Sequence, residues 1–113
     1  MYEIRHYKDV AGRDRYQQWL VNLRDPQAKL RVVQRVNRLA VGHFGDCKPC
    51  REGVWELRVD WGPGYRVYYA KVDQSVILLL AGGDKRKQDA DIERAIGYLQ
   101  DYRKRCNEQG KEG

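Results

Sequence analysis

The stretch Val54-Trp55-Glu56-Leu57-Arg58-Val59-Asp60-Trp61-Gly62-Pro63-Gly64-Tyr65-Arg66-Val67-Tyr68 decides the fold. From Val54 to Trp61 the residues alternate, with Trp55, Leu57, Val59 and Trp61 on one face and Glu56, Arg58 and Asp60 on the other. That period of two belongs to a half-buried strand. Gly62-Pro63-Gly64 turns the chain through conformations open mainly to glycine. Tyr65 to Val72 then returns as a second strand, with Arg66 and Tyr68 on one face, so the segment reads as a hairpin.

Downstream, Asp73-Gln74 begins another reversal, and Val76-Ile77-Leu78-Leu79-Leu80 is apolar at every position, as a strand covered on both faces is. Gly82-Gly83 and the basic run Lys85-Arg86-Lys87 lead into a last helix whose Ile92, Ala95, Ile96 and Leu99 fall on one side. Upstream, Gly42 to Gly53 is rich in glycine, proline and polar residues and reads as a loop.

Before that loop, Asp25-Pro26 supplies an N-cap carboxylate and a proline at the first helical position, where its missing N–H costs nothing. The helix that follows has an apolar stripe of Val32, Val33, Val36, Leu39 and Ala40. Arg31, Arg35 and Arg38 line another face, and no acidic residue occurs between Gln27 and Gly45. Tyr16, Trp19, Leu20 and Leu23 space an earlier helix over about 13–23, and Tyr2 to Tyr7 form a short first strand. The resulting order, β-α-α-β-β-β-α, predicts an α+β fold with an antiparallel twisted sheet and a two-helix hairpin packed on it.

A chain of 113 residues suits one domain with one core, expected over 1–106, with 107–113 as a flexible C-terminal tail. Lys and Arg number 22 against 16 Asp and Glu, a net charge of +6 that favours a polyanionic partner, whether nucleic acid or an acidic protein. No apolar run is long enough to span a bilayer, and Met1-Tyr2-Glu3-Ile4-Arg5 lacks the apolar region of a signal peptide, so a cytoplasmic protein without a membrane partner is expected. Three cysteines, an odd number, argue against a disulfide framework. Cys47-Lys48-Pro49-Cys50 has redox or half-zinc spacing, but no helix start follows and no second cysteine pair completes a site. His6 and His43 lack paired ligand spacing, so no metal site is expected.

Trp19-Leu20 with Leu23, the Gly45-Asp46 turn, Glu56-Leu57-Arg58, the run Gly62 to Tyr69, and Leu78-Leu79-Leu80 through Gly82-Gly83-Asp84-Lys85 to Gln88, Asp91-Ile92 and Ala95 occur here in one order. In that order and combination the chain resembles the RelE/ParE toxin superfamily, specifically its HigB-like addiction-module killer branch. The resemblance covers nearly the whole chain. It implies the toxin of a type II toxin-antitoxin system, an endoribonuclease that cuts mRNA on translating ribosomes. It also implies a cognate antitoxin, one that often carries a helix-turn-helix DNA-binding domain. Alternatives within the superfamily are a ParE-like, non-enzymatic poison of DNA gyrase and an inactive relative that only binds an antitoxin.

RNA can be cut without a metal or organic cofactor when its own 2′-hydroxyl attacks the neighbouring phosphate. The reaction needs cations around the developing charge and groups that move protons. Arg58, Arg66 and Lys85 are the expected catalytic residues. Arg66 would hold the scissile phosphate through a guanidinium able to bind two of its oxygens, and Arg58 would share the charge. Lys85 or Lys87, crowded by other cations, would handle a proton, with Tyr68 as another donor. Arg86, Lys87, Arg31, Arg35 and Arg38 are expected RNA contacts, and Tyr68, on the face of Arg66, is the expected stacking residue; Tyr69 is a further stacking candidate, and Trp61 and Tyr65 either stack on bases or pack the sheet. Gln88 and Asp91 are expected to organise the start of the last helix.

Overall fold

The computed structural model describes residues 1–112, with side chains to residue 108. The elements are β1 (Glu3–His6), α1 (Arg15–Asn22), α2 (Pro26–Ala40), β2 (Cys47–Pro49), β3 (Trp55–Val59), β4 (Tyr65–Asp73), β5 (Val76–Asp84), a 3-10 turn (Lys85–Lys87) and α3 (Gln88–Glu112). Two aspartates start the first two helices: Asp14 accepts from the amide of Gln17 and Asp25 from that of Gln27, with Pro26 following at the first helical position. The protein is α+β, with five strands in the order β1-β5-β4-β3-β2.

The sheet is mixed rather than antiparallel. The meander β3-β4-β5 is antiparallel, but β1 lies parallel to β5, pairing Glu3 with Val76 and His6 with Leu79. Most of the chain separates these two strands, so the connection can carry β1 around to the β5 edge in either sense. The loop expected over 42–53 contains the short strand β2, which pairs antiparallel with β3 at the other edge. There Pro49 is tolerated because an edge position requires no amide on its outer side.

Helices cover both faces. On one, Leu20, Val32 and Leu39 of the α1-α2 hairpin meet Leu57, Val67 and Leu79. On the other, Ile92, Ala95 and Leu99 of α3 meet Tyr68, Ala70 and Leu80. Because α3 lies over the second face, β3 is not half-buried as its alternation suggested: Glu56 is only 1% exposed. The apolar run of β5, Val76 to Leu80, is buried as expected, and the burial continues to Ala81.

The residues expected to form a tail from 107 are helical as far as Glu112, and Gly113 lies outside the described residues. Among the described residues no helix is long and apolar enough to cross a membrane.

Candidate active site

Two arginines face each other across the β3-β4 hairpin, Arg58 directly opposite Arg66. Like charges in that position repel, and the buried carboxylate of Glu56 relieves the repulsion. Its Oε1 accepts a 2.9 Å hydrogen bond from Arg58 Nε and lies 3.3 Å from Arg66 Nε, while its Oε2 accepts from Gln88 Nε2 at 2.7 Å. The Glu56 hydrogen bond holds Arg58 above the ordinary guanidinium range. Arg66 Nη1 donates to the carbonyl of Tyr65 at 3.1 Å, so the side chain is anchored at several points.

The third cation arrives from the next strand. Lys85 N donates to the Gly64 carbonyl at 2.9 Å, tying the start of the 3-10 turn to the hairpin bend. Gly64 has φ +83°, a conformation that favours glycine, so its place at the bend follows from the backbone; a Cβ there would make only ordinary contact with Arg66 Nη1, at 3.5 Å. Arg58, Arg66 and Lys85 line one cleft of about 270 Å³ with the Gly62-Pro63-Gly64 bend, Asp46 and Asp60. The three residues expected to be catalytic are thus brought together, in company with two carboxylates that the sequence reading did not select.

Arg86 and Lys87 line a different pocket, with Asp84, and Arg86 turns back to pair with Asp84 at 3.0 Å. That pairing draws the Asp84 carboxyl below its usual range. Tyr68 does not match its expected role. It is fully buried beneath α3, so no base can stack on it, and among the described residues its hydroxyl has no hydrogen-bond partner. Burial pushes its pKa up, which opposes proton release.

Arg35 is a second correction. Its guanidinium donates to the carbonyls of Arg58 at 2.5 Å, Phe44 at 3.2 Å and Asp46 at 3.4 Å, so it fastens the loop before β2 onto β3 instead of facing RNA. Arg31 stacks 3.9 Å above the Trp61 ring, whose Nε1 donates to Asp25. Arg31 and Arg38 are exposed on α2. Trp61 therefore packs against a helix, Tyr65 meets Trp19 edge-on, and Tyr69 is buried beside Trp55. Burial raises the Cys47 and Cys50 thiols, the opposite of activation.

Sequence reasoning missed Glu56, which it placed on a wet face, and misread Gln88 and Asp91. Gln88 reaches across to Glu56, and Asp91 lies against the sheet, paired with Arg94 at 3.4 Å. An acid between Trp55 and Leu57, two residues before Arg58, was the available signal for Glu56, legible only once a second covering helix is known.

No family model matches the sequence. Over 80 residues, 71% of this chain, it is 44% identical to a Haemophilus influenzae protein described as uncharacterized, and the match spans 81% of that protein. The chain belongs to the same family as this Haemophilus influenzae protein.

Proposed function

We propose that the protein is a RelE/HigB-like toxin, an endoribonuclease that cuts mRNA on translating ribosomes and is silenced by a cognate antitoxin. One observation carries this reading: three cations from separate segments, Arg58, Arg66 and Lys85, converge on one open cleft, two of them held by a single buried carboxylate. The strand, helix-pair, meander and final-helix order agrees with the RelE-like resemblance seen in the motifs.

In this mechanism the RNA 2′-oxygen forms a bond to the adjacent phosphorus and the bond from phosphorus to the 5′-oxygen breaks, leaving a 2′,3′-cyclic phosphate and a 5′-hydroxyl. Arg66 and Arg58 stabilise the negative charge that grows on the phosphate oxygens, a preorganised arrangement because Glu56 fixes both guanidinium groups before substrate arrives. Lys85 gives a proton to the departing 5′-oxygen. Asp46 or Asp60, on the cleft wall, takes the 2′ proton. Glu56 is an anchor and not that base, since both its oxygens already accept from Arg58 and Gln88. The charge stabilisation is supplied by the chain, so no metal or organic cofactor is required for the step.

A chain with this excess of Lys and Arg suits an acidic antitoxin segment laid across the cleft. The test is brief expression in bacteria with RNA 5′ ends mapped across the transcriptome, for wild type and Arg66→Ala. New ends inside translated reading frames, absent in the folded variant, are expected. Growth arrest with intact transcripts and cleaved DNA would overturn the proposal in favour of a gyrase poison, and no arrest would favour an inactive antitoxin binder.

A further inference from the structure

A carboxylate beside a guanidinium ordinarily closes into a forked pair of two parallel N–H to O bonds. Glu56, buried between two guanidinium groups, does not close on either. One oxygen serves both: Oε1 accepts from Arg58 Nε at 2.9 Å and stands 3.3 Å from Arg66 Nε. The second contact is close in distance but lacks hydrogen-bond geometry, and among the described residues the buried Arg66 Nε finds no other acceptor. The other oxygen, Oε2, is taken by Gln88 Nε2 at 2.7 Å. An amide donor thus holds the half of the carboxylate that a forked pair would need.

We propose that Gln88 is a positioning residue for the arginine pair: by occupying Oε2 it keeps Glu56 shared, so that neither Arg58 nor Arg66 is drawn into a forked pair and both stay turned to the phosphate. The inference rests on the ribonuclease reading for the reaction it serves. A forked pair would occupy two N–H groups of one arginine and cancel most of its charge where the phosphate charge grows. The other arginine would lose the shared anchor, and the like charge opposite it across the hairpin would push it out of line. Gln88 is neutral, so it fixes the carboxylate without adding a charge that competes for Glu56 or for the phosphate. It is the first residue of α3 and directly follows the turn begun by Lys85, whose amide is bonded to the Gly64 carbonyl at 2.9 Å. The four residues from Lys85 to Gln88 therefore reach the cleft at both ends, once directly and once through Glu56.

The experiment compares wild type with Gln88→Met, similar in length but without a donor, and with Gln100→Met as a control at an exposed position of the same helix. The Arg58 and Arg66 Nε–H signals are followed by NMR in the free protein, RNA cleavage is measured as kcat and KM, and urea midpoints are taken in parallel. In Gln88→Met both arginine signals are expected to shift and kcat to fall about tenfold or more, with KM changed less than kcat, because alignment is lost while every charge remains. In a Glu56→Gln background, where no carboxylate is left to fork, Gln88→Met is expected to have no further effect on kcat. Unmoved arginine signals, an unchanged kcat beside a lowered urea midpoint, or an equal loss of kcat in the Glu56→Gln background would overturn the role of Gln88 and leave the ribonuclease standing. A wild type that cuts no RNA would remove the ribonuclease, and the arginine signals would then decide by themselves whether Gln88 sets the pair.

Discussion

Gly82→Ala isolates one contact of this fold. Gly82 does not sit at positive φ, so alanine fits its backbone, and the whole penalty comes from the new methyl, placed 2.1 Å from Cε3 and 2.2 Å from Cδ2 of Trp19. Overpacking of this kind costs about 1–3 kcal/mol, and contact with several atoms of a rigid ring puts the cost near 3. Losing glycine's freedom in the unfolded chain returns about 0.4–1 kcal/mol, leaving a net destabilisation of about 2 kcal/mol. With a urea m-value of about 2 kcal/mol/M for a small domain, the unfolding midpoint should fall by about 1 M. The assay is equilibrium urea unfolding, run also in a Trp19→Ala background where the ring is gone and Gly82→Ala should cost nothing. The reasoning fails if the substitution is tolerated with Trp19 present, or costs the same in both backgrounds.

Gly97→Ala provides the converse: nothing lies within 4 Å of its Cβ position in α3, so a gain of about 0.5–1 kcal/mol is expected in the same urea assay. Arg66→Ala should reduce RNA cleavage about 10²–10³-fold, the usual loss when a preorganised charge stabiliser is removed, measured as initial rates with the urea midpoint checked in parallel. Arg35→Ala should destabilise by about 1–2 kcal/mol through its lost bonds to three carbonyls, whereas Arg38→Ala should stay within about 0.5 kcal/mol. Tyr7 donates to Asp101 at 2.6 Å, and burial first, then that carboxylate, pushes its pKa up to about 12 from 10. A raised folded pKa means stability fully present below pH 10 and lost as pH climbs towards 12, so Tyr7→Phe should show a shallower decline over that window by urea midpoints. The same bond holds Asp101 below its usual range, a contribution present above the ordinary carboxylate pKa and lost on acidification, so Tyr7→Phe should also be less acid-sensitive.

Local patterns in the sequence determined a good part of this molecule. The alternation through β3 and β4, the apolar run Val76 to Leu80 of β5 and the Asp25-Pro26 start of α2 each reflect forces acting within one or two turns or one strand pair, and each appears where it was expected. The convergence of Arg58 and Arg66 was also legible, since a hairpin's pleat places them on one face. What depends on distant packing was not. The parallel pairing of β1, the edge strand β2, the burial of Glu56 and Tyr68 beneath α3, and the binding of Arg35 to the β2 loop all join segments far apart in the chain. Identical residue types read as wet or buried according to whether a remote helix covers them. Only the tertiary structure could place Asp91 against Gly83 and Trp19 against Gly82, because a close approach of side chain to bare backbone leaves no periodicity for a sequence to record.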